Sequence, residues 1–178
     1  MTGYVDLQLN GYCGGDFNGD GLTAESFHAA CEALAGHGVR AFAPTICMAP
    51  LPAMCARLAT LARLTTADPL ARAMVAGLHA EGPFLNGEAG YRGAHPASHI
   101  RPAAVDAAKA LVEAAGGRLR LVTLAPECDA GFATTRWLAG QGIRVAAGHC
   151  DASLDQLRGA IDAGLSLFTH LGNGVPLQ

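Results

Sequence analysis

Apolar and polar residues alternate over Tyr4-Val5-Asp6-Leu7-Gln8-Leu9-Asn10. Val5, Leu7 and Leu9 fall on one side and Asp6, Gln8 and Asn10 on the other, which predicts a strand with a polar inner edge. The glycine-rich residues 11–21 read as a flexible connection, with a substrate loop as the functional alternative. The period then changes to three and four. Phe27, Ala30, Cys31 and Leu34, preceded by Thr23 as N-cap, predict a helix stopping at Gly36 or Gly38. Leu51, Met54, Cys55, Leu58 and Leu61 predict a second helix. Apolar runs at residues 39–43, 74–81, 119–124, 143–147 and 165–169 predict five further strands. Between them, Pro102 opens a helix to about residue 115 and residues 132–139 form one around Trp137. Ser153 with Gln156 makes a capping box for another helix, which Gly164 ends.

Strand and helix thus alternate six times, the pattern of a parallel α/β sheet. No G-x-G-x-x-G turn follows the first strand, and polar groups recur at successive strand ends. A TIM-type (β/α)₈ barrel is therefore expected over an open doubly wound sheet. Such a barrel takes about 250 residues, so residues 1–178 are expected to form one catalytic barrel domain with about six βα units, incomplete at the C-terminus. Hydrophobic residues make up 51% of the chain and aromatics only 6%, which suits helices packed closely on a sheet. A net charge of -3 without a Lys/Arg cluster gives nucleic acid or an anionic membrane no hold, and a small molecule is the expected partner. The six cysteines form no C-x-x-C pair and follow no secretory leader, which points to reduced thiols in a cytoplasmic protein.

Glu81, His149 and His170 each close a predicted strand, where parallel α/β proteins gather their chemistry. An acid and two imidazoles could hold zinc and leave a position for water. By themselves these positions fit a metal site and ordinary hydrogen-bonded strand ends equally well.

Six motifs alter that balance: Asp6-Leu7-Gln8-Leu9-Asn10-Gly11, His79-Ala80-Glu81-Gly82-Pro83-Phe84, Gly93-Ala94-His95, Thr123-Leu124-Ala125-Pro126-Glu127, Ala147-Gly148-His149 and Thr169-His170-Leu171-Gly172-Asn173. Together, and in this order, they resemble the N-acetylglucosamine-6-phosphate deacetylases of the amidohydrolase superfamily. The resemblance implies a metal-dependent barrel that removes the acetyl group from N-acetylglucosamine 6-phosphate, giving glucosamine 6-phosphate and acetate. It implies Glu81, His149 and His170 as metal ligands, and His95, Asn173 and Gly174 as contacts to the amino-sugar phosphate. Gln8 and Asn10 stand where many amidohydrolases carry H-x-H for another metal, which implies a single divalent ion, zinc. Thr123 and Glu127 would line or brace the barrel mouth, and His79 would stand behind Glu81. The general-base aspartate falls beyond Gln178, so no catalytic acid or base is expected within the chain and the fragment alone should be inactive. The family's small flanking β domain is expected to be missing from these residues as well. A homodimer is the assembly to test. The alternatives are a non-catalytic sugar-phosphate-binding or scaffold barrel, and an amidohydrolase acting on another amide.

Overall fold

The computed structural model describes residues 3–172. Strand β1 (Tyr4–Leu9) is followed by a short hairpin of β2 (Gly11–Tyr12) and β3 (Gly15–Asp16). Cys13 and Gly14 both have positive φ at the hairpin turn, the geometry a two-residue connection needs to match strand twist. Helix α1 (Ala24–Gly36) leads to β4 (Val39–Ile46), then α2 (Leu51–Ala67), α3 (Pro69–Met74) and β5 (Leu78–Glu81). A long loop precedes α4 (Val105–Ala114); β6 (Leu119–Leu124), α5 (Ala133–Gly140), β7 (Arg144–Ala147), α6 (Leu154–Asp162) and β8 (Leu165–Phe168) complete the series. The expected caps at Thr23 and Ser153 both form, each as a reciprocal capping box.

The six long strands form one parallel sheet in the order β1-β4-β5-β6-β7-β8. Every strand adds beside its predecessor. A doubly wound sheet would reverse this order at a switch point; among the described residues no reversal occurs, and the sheet is a curled half-barrel. The helices cover its outer side. Phe27 and Leu34 from α1, Met54, Leu58 and Leu61 from α2, and Leu111 and Leu138 from α4 and α5 bury against Phe42, Leu78, Val122 and Val145 of the strands. No helix among the described residues is long and apolar enough to cross a membrane.

On β1, Val5 is 53% and Leu7 51% exposed, because among the described residues β1 is an edge strand bonded only to β4. Three expectations need correction. Strand β4 runs on through Pro44 to Ile46; Pro44 pairs with Leu9 of β1 at a register irregularity between Asp6 and Leu9, and a ladder irregularity is where a missing donor is tolerated. The run 74–81 divides, with Met74 closing α3 and β5 starting at Leu78. Asp68 caps α3 by accepting from the amides of Leu70 and Ala71, and Pro69 occupies its first turn, a start signal the sequence carried. Pro102 lies before α4 rather than in it. Backbone bonds from Arg101 N to Pro83 O (3.1 Å) and from Ala103 N to Cys128 O (2.9 Å) hold this segment extended against neighbouring loops.

Candidate metal centre

Because the strands are parallel and in sequential order, their carboxyl ends open on one rim. Glu81 is the last residue of β5, while His149 and His170 lie two residues past β7 and β8. Both histidines have left-handed backbones, with φ of 50° and 57°. That region is uncommon for a residue with a Cβ. Each turn carries its imidazole to the buried Glu81 carboxylate: His149 Nε2 and His170 Nε2 both stand 3.1 Å from Glu81 Oε1. His95, from the loop between β5 and α4, approaches from above, its Nε2 3.2 Å from His149 Nε2 and 3.7 Å from Glu81 Oε2. Among the described residues, the set whose ligand atoms all lie within 4.8 Å of one another is Glu81, His95 and His149.

The surroundings fix these groups. His149 Nδ1 donates to the Tyr91 carbonyl at 3.0 Å, so in a neutral ring the Nε2 lone pair faces the cluster. The His149 carbonyl in turn accepts from Asn86 N at 2.9 Å. Glu127 Oε1 accepts from Asn86 Nδ2 at 2.9 Å and from the Asp151 amide, tying together the loops that follow β5, β6 and β7. Gly93 has φ +58°, and a Cβ there would stand 3.2 Å from His149 Cε1. The glycine of Gly93-Ala94-His95 therefore lets the loop lie against the imidazole. Gln8 Nε2 is 3.4 Å from His170 Nε2, and Gln8 and Asn10 line an open cleft of about 450 Å³ with Asp6, His79 and Thr169 on the inner side of the sheet. Asn173 and Gly174 lie outside the described residues.

Cys47, unmarked in the sequence, belongs to the same centre. Its thiol donates to Glu81 Oε2 at 3.5 Å, and its amide donates to Asn18 Oδ1 at 2.7 Å. It follows β4 directly, a strand-end position hidden while that strand was expected to stop at Ala43. Burial, reinforced by Glu81, pushes the thiol up to about 12, so it stays protonated.

Burial alone would raise the Glu81 carboxyl. Hydrogen bonds from His149 and Gln8, with the nearby His95, outweigh it and hold the group at about 2. For His149 the order is the same: burial opposes the charge, and the Glu81 contact prevails and raises the imidazole. Burial lowers His95, and takes His79 down to about 4. Three imidazoles converging on one carboxylate, two of them nitrogen to nitrogen, form a donor set that suits a borderline divalent ion such as zinc.

No family model matches the chain. Individual proteins do. N-acetylglucosamine-6-phosphate deacetylase from Homo sapiens is 34% identical over 181 residues, which take in 97% of this chain and 42% of that protein. N-acetylgalactosamine-6-phosphate deacetylase from Escherichia coli O157:H7 is 33% identical, over 97% of this chain and 44% of its own length. The crystal structure of N-acetyl-D-glucosamine-6-phosphate deacetylase from Mycobacterium smegmatis superposes with a TM-score of 0.84 at 32% identity, covering 97% of this chain and 43% of that one. The chain is similar to N-acetylglucosamine-6-phosphate deacetylases along 97% of its own length. It spans less than half the length of the curated deacetylases it matches.

The centre is electrostatically marked even without metal. Glu81 has a folded-state pKa of about 2 against an ordinary 4.5. A depressed carboxyl contributes stability that is fully present above the unfolded value and is lost as pH falls through the folded one. Urea unfolding of the metal-free chain should therefore show stability falling by about 3 kcal/mol between about pH 5 and pH 2. Glu81→Gln should flatten that slope, and an undiminished slope in the variant refutes the assignment.

Proposed function

We propose that this chain carries the metal-binding half of a zinc-dependent amide hydrolase that removes the acetyl group from N-acetylglucosamine 6-phosphate, yielding glucosamine 6-phosphate and acetate. The observation behind the reading is the convergence of Glu81, His149 and His170 from three strand ends, in a chain that matches deacetylases along 97% of its length. In this reading residues 1–178 belong to one (β/α)₈ barrel domain of a cytoplasmic protein. One zinc ion is held by Glu81, His149 and His170. Gln8 and Asn10, neutral amides, bind a divalent ion far less strongly than imidazoles do and leave a neighbouring position without metal.

Bound there, zinc supplies Lewis-acid polarisation of the acetamide carbonyl and a lowered pKa for water. The chain's own residues do the rest of the preparation. Glu81 brings the negative charge, its orientation kept by the Cys47 thiol on Oε2. The Tyr91 carbonyl holds the His149 ring with Nε2 facing inward. His95, 10% exposed and on a loop rather than a strand, is placed to contact the acetamide and keep water away from that side, while Asn173 and Gly174 contact the sugar phosphate. No residue of the chain is assigned the general-base role.

The test is a chimera in which this chain replaces the corresponding segment of a curated deacetylase. Zinc-loaded, it should release acetate from N-acetylglucosamine 6-phosphate, and Glu81→Gln in the same background should not. A folded, zinc-loaded chimera without acetate release refutes the proposal. The similarity to an N-acetylgalactosamine-6-phosphate deacetylase supports a second reading of the sugar alone. Relative kcat/KM for the two epimers decides between them.

A further inference from the structure

We infer that His79 is a positioning residue for the metal centre: its buried ring is the middle link of a one-way hydrogen-bond belt, from Thr169 through Thr123 and His79 to Thr45, that ties the ends of β8, β6, β5 and β4 together beneath Glu81. The inference rests on the metal reading above and adds to it a residue with no ligand role.

The direction of the belt follows from counting hydrogens. The Thr45 hydroxyl donates to the Ala43 carbonyl at 3.0 Å, which uses its only proton. It can then only accept, and it does so from Leu9 N at 3.2 Å and from His79 Nδ1 at 3.1 Å. Counting hydrogens thus assigns the His79 proton to Nδ1, with the Leu7 carbonyl a further acceptor beside the ring, and in a singly protonated ring Nε2 is then an acceptor. Thr123 Oγ1, 2.8 Å from Nε2, must donate to it. Having spent its proton, Thr123 accepts from Thr169 Oγ1 at 2.8 Å. Thr45, His79 and Thr123 are all 0% exposed, so their polar atoms rely on one another as partners.

The last link spans β7. Thr123 belongs to β6 and Thr169 follows β8, and the two hydroxyls meet across Gly148. A Cβ at position 148 would stand 2.6 Å from Thr123 Cγ2 and 2.9 Å from Thr169 Cβ, so glycine there is what lets the belt close. The consequence reaches His170. Among the described residues strand β8 is the other edge of the sheet and pairs only with β7, and His170 is the most exposed imidazole of the centre at 40%. The Thr169 hydroxyl, adjacent in the chain, is a second anchor that keeps this imidazole over Glu81 Oε1. At the other side, His79 shares a strand face with Glu81, two residues on.

The experiment has two arms on the full chain. In the first, ¹⁵N spectra of the metal-free protein read the His79 tautomer, and Nδ1 protonated with Nε2 bare is the expected result. In the second, Co²⁺ affinity is compared among wild type, Thr123→Val, Thr123→Ser and Leu111→Ala, the last a core truncation remote from the belt that lowers stability without touching it. Thr123→Val should weaken Co²⁺ binding by about 10- to 100-fold, Thr123→Ser should restore it, and Leu111→Ala should leave it in place. An Nε2-protonated His79, or a Thr123→Val protein with wild-type affinity, overturns the inference. Should Thr123→Val fail to fold, the tautomer still decides. A wild-type chain that takes up no Co²⁺ sinks the metal reading, and the first arm then judges the belt by itself.

Discussion

Replacing His149 by alanine is expected to abolish tight zinc uptake, and replacing His170 or converting Glu81 to glutamine should do the same, whereas His95→Ala should retain it. The expected loss in the first three exceeds about 100-fold, the upper range for removing a group that merely supports a ligand; for His95→Ala it stays within about tenfold. The difference comes from where the residues are mounted. Glu81 ends β5 inside the sheet, and His149 and His170 leave β7 and β8 through left-handed turns that aim both at the same carboxylate oxygen. His95 comes from the loop after β5 and reaches the other oxygen at 3.7 Å. Competition against a chromophoric chelator measures all four. The reverse pattern, with His95→Ala losing zinc and His170→Ala keeping it, would assign the ion to Glu81, His95 and His149, the tighter set by distance.

Phe42→Ala is expected to cost about 3–5 kcal/mol, a large share of the roughly 5–15 kcal/mol that holds a domain of this size together. Phe42 is 0% exposed in β4. Its ring stacks on Phe17 at 6.4 Å, and Phe17 meets Phe27 of α1 edge-on at 5.5 Å. Phe17 is the anchor of the glycine-rich segment after β1. Removing the ring beneath it empties a cavity and also loosens Asn18, which donates to Thr45 O at 3.0 Å and accepts from Cys47 N. Loss of zinc affinity should therefore accompany the loss of stability, and residues 11–21 should become the first site of proteolytic cleavage. Urea unfolding and limited proteolysis check both, and a cost below about 1 kcal/mol counts against this packing.

That segment shows where sequence reading stops. Its glycines suggested a flexible connection, yet one aromatic residue and one asparagine, neither part of any local pattern, fasten it to β4. The same holds for the extended residues before α4. Pro102 carries a start signal, and backbone bonds to two other loops override it. The split of residues 74–81 was legible in Asp68-Pro69 and was masked by an unbroken apolar run. Cys47 was hidden by a boundary placed three residues early.

The sequence by itself determined the alternation of strand and helix, the caps at Thr23 and Ser153, and the placing of Glu81, His149 and His170 at strand ends, because periodicity and capping act between residues a few positions apart. Only the tertiary structure decided that β1 and β8 are edges, that His95 and Cys47 join the carboxylate, and that Thr169, Thr123, His79 and Thr45 form one directed chain. Those outcomes depend on parallel strands lying side by side in register, which brings together groups up to 162 positions apart, and no local rule encodes such a distance.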